Sequence, residues 1–489
     1  MVDSTSSVLI RDSVSAIKSA FEEVIGLDTR PSATDDYGIP ELFEDAFEDD
    51  REKEKIPSLQ DISQSELPVS NGKLVRCTCH VVHTDSEIYG GAFRDRGRWQ
   101  LGRYGLDATT NMPASDADLV FEERTSLRCR HIHVPATGGF EQSFENLSLN
   151  RGGSEGTQTQ DFSVKLYNEK EEGLLHSCLV IIGILEVVGA DVTLHSIITQ
   201  NQRLSTVITS SLPSPTPADI PEVRADLLHR LEGALEGDAL AAELCLLSLI
   251  SGVSVRSPML IGPLTLNIRG LSPDTAKALT SLVSDLTCTY SFDMSIDNLN
   301  RSKLYPSHDG EEFSAGTLQL PADFAVILNE SALSEGKLDE RGVKNLQCLS
   351  NTITSQDLKF QFPFSEFKIP VDLSFITLSH GKSLLPSTIS VPLTRSSTWN
   401  LNAKSSISQM RHYLARCRLF EIEIQEEVSK EVQEDFVNSR KEGHPMDQAD
   451  LSMALALGKE IAKSYSRRQM TWDDYTKAKS LRKRILSRE

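Results

Sequence analysis

Two groups of side chains have the types and spacing to do chemistry. The first runs Cys77, Cys79, His80 and His83, followed further along by Cys129, His131 and His133. Thiolate and imidazole are the donors a zinc ion takes, and alternate residues of a strand share one face, so Cys77, Cys79, Cys129, His131 and His133 form the candidate set. The same alternation is what buried cysteines of a strand produce, and a zinc knuckle normally leaves two residues between its ligands. The spacing therefore favours core cysteines with surface histidines, and no metal and no cofactor is expected.

The second group, Arg94, Arg96, Arg98, Trp99, Arg103 and Tyr104, joins cations to aromatic rings, the pairing that holds single-stranded nucleic acid through charge and base stacking. Against it stands the whole chain: 50 Lys and Arg against 70 Asp and Glu give a net charge of -20, which repels phosphate backbones. Direct nucleic-acid binding is not expected, and partners should be proteins with basic faces. Near the end, Lys479, Arg482, Lys483 and Arg484 read either as a nuclear-import signal or as cations complementing a helix C-terminus. No Ser-His-Asp or Cys-His arrangement can be assembled from the spacing, so an enzyme is not expected.

These residues need elements to hold them. Val14, Ile17, Ala20, Phe21 and Val24 recur at helical spacing, and Leu42, Phe43, Ala46 and Phe47 do so inside the acidic run Glu41 to Glu54. That run is either a solvated helix or an acidic docking motif anchored by Phe43 and Phe47. From Leu74 the period changes to that of strands, with expected segments at Leu74 to His83, Glu87 to Phe93, Trp99 to Tyr104, Ser126 to Val134, Phe162 to Tyr167 and Ser177 to Val188. Short strands joined by Gly-rich turns suggest an OB-like β-barrel over residues 70–205, with a flexible loop at 137–160.

Pro213, Pro215 and Pro217 mark a linker across residues 206–220, because closely spaced prolines continue neither helix nor ladder. Beyond it, 221–235 and 238–251 are expected helices, Leu264 to Arg269 a strand, and Ser272-Pro273-Asp274 the start of a helix with Leu279, Val283 and Leu286 on one face. Strands at Phe292 to Ile296, Phe324 to Leu328, Leu358 to Phe362 and Leu373 to Leu378 alternate with helices, the pattern of an α/β layer over 221–400. Residues 401–489 are helical, one helix running from Ile407 to Phe436 and the last opening at Thr471. The fold class is α+β multidomain, with residues 1–60 a helical, acidic and partly disordered segment. No apolar run reaches the roughly 18 residues of a membrane span, and nothing resembles a secretory leader, so an intracellular protein is expected.

Several stretches resemble the MCM-binding protein family. They are Gly237 to Val253, Ile261 to Gly270, Ser295 to Asn300, Gly316 to Pro321, Gly336 to Asp339, Gly381 to Pro386 and Glu427 to Val437, with weaker matches at Ile56-Pro57-Ser58-Leu59 and Leu179 to Val187. The resemblance implies a non-catalytic partner of the MCM helicase subunits, nuclear with some cytoplasmic pool possible. It would act in DNA replication on assembly, stabilisation or unloading of MCM complexes and support sister-chromatid cohesion. Leu42, Phe43, Phe47, Ile56, Pro57 and Leu59 are then the candidate partner-binding residues. The alternative is an OB-fold single-stranded DNA-binding protein.

The same region also looks like a degenerate AAA+ helicase module with a helical C-terminus. A working phosphate loop needs glycines whose amides face the phosphates, then Lys and Ser or Thr. Here Lys277 takes the lysine position, but Leu271 and Ala276 replace the glycines, Ala278 replaces the hydroxyl and Pro273 removes an amide. The acidic pair becomes Asn329-Glu330, and Ser379 and His380 stand where a polar sensor belongs. Lys277, Asn329 and Glu330 are the remnants of a nucleotide site, and hydrolysis is not expected.

Overall fold

The structure, a computed structural model, describes residues 5–25, 29–63, 65–106, 118–132, 161–167, 173–257, 260–309, 312–362, 365–396, 404–441 and 446–488. They form two compact units, which divide after Gln202. The expected loop at 137–160 lies outside the described residues.

The first unit opens with α1 (Thr5–Arg11), α2 (Ser13–Ile25), α3 (Ile39–Ala46) and α4 (Asp50–Glu54). Then come β1 (Leu74–Asp95), β2 (Arg98–Leu101), β3 (Leu119–His131), β4 (Phe162–Tyr167), β5 (Cys178–Val188) and β6 (Asp191–Gln202). The strands form one mixed sheet in the order β2-β1-β3-β4-β6-β5, and β5 returns to pair with β1, closing a ring. All neighbours are antiparallel except β4 and β6. Strand β2 hangs from β1 outside the closed circuit, joined by a tight turn in which Arg96 (φ 49) and Gly97 (φ 82) both take the left-handed backbone that two-residue hairpins favour.

Alternation sorts the side chains of the ring. Val75, Cys77, Cys79 and Val81 of β1 join Leu127, Cys129, Val164, Leu179, Ile181 and Leu194 in one cluster. Leu74, Ile182, Ile184, Trp99 and Leu101 point the other way and are covered by Ile17, Phe21, Ile39, Phe43 and Phe47 of the N-terminal helices. Two expectations are corrected here. The stretch split into two strands at about residue 85 is one strand, which bends at bulges between Val81 and His83 and between Gly90 and Ala92 instead of turning. And β6, for which no strand was expected, completes the hairpin that begins at Gly189 (φ 63).

The second unit contains α5 (Leu204–Ser211), α6 (Ile220–Ala234), α7 (Ala239–Ile250), β7 (Leu266–Arg269), α8 (Pro273–Leu286), β8 (Thr289–Asp293), α9 (Ile296–Arg301), β9 (Ser307–Asp309), β10 (Glu312–Ser314) and β11 (Ala325–Asn329). It continues through α10 (Glu340–Ser355), β12 (Asp357–Gln361), β13 (Glu366–Pro370), β14 (Ser374–Ser379) and β15 (Ile389–Pro392). The C-terminal elements are α11 (Ile407–Arg418), β16 (Glu423–Ile424), α12 (Glu426–Lys441), α13 (Gln448–Ser464), β17 (Gln469–Met470) and α14 (Trp472–Leu486). The Pro213 to Pro217 stretch connects α5 to α6 within this unit.

Five strands form a parallel sheet in the order β15-β7-β14-β11-β8. Every residue of β14 is buried, as expected of a parallel sheet covered on both faces. Helix α7 is apolar almost all round and packs into the same core. Asp238 caps it, accepting from the amides of Leu240 (3.0 Å) and Ala241 (3.1 Å). A second, four-stranded sheet runs β10-β9-β12-β13. The single helix expected from Ile407 to Phe436 is two helices: its backbone leaves α11 at Leu419, and Glu423 donates to the Arg468 carbonyl (3.0 Å) where β16 pairs with β17. The capping box at Thr471 is present as expected.

Candidate functional site

In α/β sheets, ligands sit outside the carboxyl ends of the strands. At that edge of the parallel sheet stand Arg269-Gly270 at the end of β7, Asp293 at the end of β8, Asn329-Glu330 at the end of β11 and Ser379-His380 at the end of β14. The connection from β7 to α8 is three residues, Gly270, Leu271 and Ser272. Gly270 (φ 78) makes the turn, and Ser272 caps the helix by accepting from the Thr275 amide at 3.1 Å. A helix N-terminus attracts anions, and here the chain supplies its own. Asp274 lies in the first turn and the Glu236 carboxylate accepts from the Thr275 hydroxyl. Lys277 lies in the second turn of α8 with its side chain exposed.

The other two residues expected to be nucleotide-site remnants, Asn329 and Glu330, are held by internal bonds. Asn329 donates to Asp293 at 2.7 Å and accepts from the Ser331 amide at 3.1 Å. Glu330 is 7% exposed. Its carboxylate accepts from the Ser383 hydroxyl at 2.8 Å and the Leu384 amide at 3.2 Å, and burial raises its pKa. Ser379 donates to Asn267 of β7 at 2.9 Å, which ties the two strands together, while His380 is exposed. The edge thus brings Asn329, Glu330 and Ser379 onto one sheet rim and leaves Lys277 on a helix surface. Asn329, Glu330 and Ser379 are each turned onto a neighbour within the fold.

Below the opposite rim is a charge cluster that sequence reasoning missed. Asp323 is buried, and burial pushes its carboxyl upward, but Arg418 and Arg203 hold it down at about 2. Arg418 reaches it at 3.2 Å and Arg203 at 2.5 Å, and Arg203 also bonds Asp372 at 2.7 Å. These residues lie more than 90 positions apart in places, so no local pattern marks them.

In the first unit, Cys77, Cys79 and Cys129 lie in the ring's apolar cluster, where burial pushes the Cys77 and Cys129 thiols well up. His131 stacks on Phe162 at 4.3 Å with its Nδ1 3.5 Å from the Cys77 sulfur. His133 is outside the described residues, and among the described ones no group of three or more His, Cys, Asp or Glu is arranged to hold a metal ion. Of the basic and aromatic group, Arg94, Arg96 and Arg98 are exposed at the β1–β2 hairpin. Trp99, Arg103 and Tyr104 are buried, and Arg103 bonds Glu122 at 2.7 Å.

The candidate partner-binding residues are largely interior. Phe43, Phe47, Ile56 and Leu59 are all buried, Leu42 is half-buried and Pro57 is exposed. Phe43 and Phe47 face the ring because α3 lays that side of itself on the outer cluster, which leaves Glu41, Glu44 and Asp45 outward. At the C-terminus, Lys479 pairs with Asp435 (2.7 Å) and Arg482 with Asp450 (3.3 Å), while Lys483 and Arg484 are exposed. No helix among the described residues is long and apolar enough to cross a membrane.

Comparison with known proteins adds an identity to this geometry. Residues 190–488 match the family described as Mini-chromosome maintenance replisome factor. A UPF0616 protein of Schizosaccharomyces pombe is 27% identical over 94% of this chain and 95% of its own length. Proteins named Mini-chromosome maintenance complex-binding protein are similar too, from Danio rerio (33% identical, 55% of this chain) and Homo sapiens (30%, 54%). The matches cover 46% and 44% of those two vertebrate proteins, so this chain spans about half the length of each. With the family matched over more than half of its residues, this chain belongs to the Mini-chromosome maintenance replisome factor family.

Proposed function

We propose that the chain is a non-catalytic binding protein of the MCM helicase subunits. It acts in the nucleus during DNA replication on assembly, stabilisation or unloading of MCM complexes, and thereby supports sister-chromatid cohesion. The observation that carries this reading is the family match over residues 190–488, and the bonding of Glu330 to Ser383 and Leu384 supports its non-catalytic part.

Two finer readings accompany it. The second unit is read as a degenerate AAA+ module, a reading supported by the order β15-β7-β14-β11-β8. In that order β14 lies between β7 and β11, so the rims that carry Gly270, Ser379 and Glu330 are neighbours. On that reading the chain would keep the layering of an ATPase subunit without its chemistry, and would be suited to pack where a subunit packs. The first unit is read as an OB-fold, supported by the closed circuit β1-β3-β4-β6-β5 with its single parallel pair. The single-stranded DNA alternative draws no support from Trp99, which is 8% exposed and joins the outer cluster of the ring.

The test is a titration of the purified chain against individual MCM subunits, followed by sedimentation velocity. The expected result is a complex with at least one subunit at a Kd of about 1 μM or tighter, unchanged by ATP and magnesium. Failure to form any complex at tenfold higher concentration would overturn the proposal.

A further inference from the structure

Strand β13 ends the order β10-β9-β12-β13 and, among the described residues, pairs with a strand on one side only. Its register with β12 is pinned at both ends. The Val371 amide donates to the Gln356 carbonyl at 2.8 Å, and the Phe362 amide donates to the Ser365 carbonyl at 2.9 Å. Between those two bonded pairs, antiparallel alternation makes Leu358–Ile369 and Phe360–Phe367 the bonded pairs as well. The amides and carbonyls of Glu366 and Lys368 therefore point away from the sheet. Pro370, which has no N–H to donate, takes the next outward position, as a proline on an edge should. Glu366, Phe367, Lys368 and Pro370 are all exposed, so no described element covers this edge.

The side chains beside the edge are apolar on one face. Phe367 and Ile369 share it with Leu358, Phe360 and Phe362. The rings run on continuously: Phe313 lies 5.7 Å from Phe360, Phe360 4.5 Å from Phe362, and Phe362 5.3 Å from Phe367. Within this row Phe313 is half-buried and Phe360 buried, while the outer end opens to solvent, with Phe362 37% and Phe367 57% exposed. An unpaired strand edge flanked by an open aromatic row is the arrangement that receives an added strand.

We propose that the β13 edge is a docking site for an extended segment of a partner protein, which adds as a fifth strand. That segment lays apolar residues on Phe362 and Phe367 and sets an acidic residue opposite Lys368. The charge follows from the edge itself. The Glu366 carboxylate is engaged by Lys359 at 2.8 Å, and Lys368 has no ion pair among the described residues, so the edge presents a cation. A second copy of this chain is a poor occupant. Two-fold antiparallel pairing centred on the outward position would set Lys368 against Lys368, and both copies carry a net charge of -20.

This proposal rests on the binding-protein reading above, and the experiment separates the two. Purified MCM subunits are offered one at a time to the wild-type chain and to the variants Lys368→Glu and Phe367→Ser, whose substitutions are on exposed positions and whose folding is checked by thermal melting. Amide hydrogen exchange is followed across residues 366–370. The expected result is a wild-type complex in which the Glu366 and Lys368 amides become protected, with each variant at least tenfold weaker. If a subunit binds wild type and both variants equally and those amides stay unprotected, docking at this edge is overturned and the binding reading stands. If no subunit binds the wild type, the binding reading fails and takes this proposal with it. If the chain alone sediments as a dimer that Phe367→Ser dissociates, a second copy occupies the edge and the proposal is likewise overturned.

Discussion

The Ser383 hydroxyl donates to the Glu330 carboxylate across 2.8 Å, and that bond joins the acidic residue that follows β11 to the loop that follows β14. A glutamate that served hydrolysis would need a free oxygen directed at water. Here burial raises its pKa and the Leu384 amide occupies the same carboxylate. The residue is part of the fold. Glu330→Ala is therefore expected to cost about 1–3 kcal/mol of stability, the usual cost of leaving buried partners unpaired. Lys277→Ala, at an exposed helix position, should stay within about 0.5 kcal/mol. A malachite-green assay should find no phosphate release above the blank from wild type or either variant, and turnover that disappears in Lys277→Ala would contradict this.

The Asp323 cluster should be the most fragile electrostatic point of the second unit. Asp323→Asn leaves Arg418 buried without its countercharge, and breaking a buried pair in this way costs about 3–5 kcal/mol. Adding Arg418→Met to Asp323→Asn should recover part of that loss, because the orphaned charge is removed. Urea melts of the two single variants and the double variant measure the coupling.

Phe43 is 0% exposed, at the centre of the contact between α3 and the ring. Phe43→Ala should lower stability by about 3–5 kcal/mol as a cavity opens, while the fraction that remains folded binds MCM subunits as wild type does. A variant that melts normally and binds weakly would instead make Phe43 a docking anchor.

Acid should loosen the first unit before the second. Burial lowers the pKa of both His131 and His176 to about 4. A histidine whose folded pKa lies below its unfolded value of about 6.5 takes up protons more readily when unfolded. Its contribution is full above pH 6.5 and is lost as pH falls from there toward 4, at up to about 1.4 kcal/mol per pH unit for each ring. Melting followed by Trp99 fluorescence, with Trp399 and Trp472 replaced by Phe, should show the midpoint falling across that range. The double variant His131→Gln/His176→Gln should flatten the slope, and an unchanged slope would count against the assignment.

Much of this was legible in the chain. Ser272-Pro273-Asp274, Asp238 and Thr471 marked helix starts through chemistry confined to four residues, and each caps as its sequence implies. Buried cysteines alternating along β1 were likewise readable from period alone. What failed to show was long-range. The bulges that carry β1 through residue 91 depend on pairing with β3, and β6, though joined to β5 by a local hairpin, closes the ring only through its parallel pairing with β4. The interior position of Phe43 and Phe47 could not be distinguished from an exposed docking stripe, because an amphipathic helix has the same period whether its partner is the same chain or another. The Asp323–Arg418 pair and the open edge of β13 had no local signal, since both are made by residues brought together only in the fold.

The most direct test of the central claim is affinity purification of the tagged chain from nuclear extract, with and without nuclease, followed by mass spectrometry of the proteins retained. The expected result is that MCM subunits dominate and survive nuclease. Their absence, or their loss together with the nucleic acid, would contradict the account and bring the DNA-binding alternative forward.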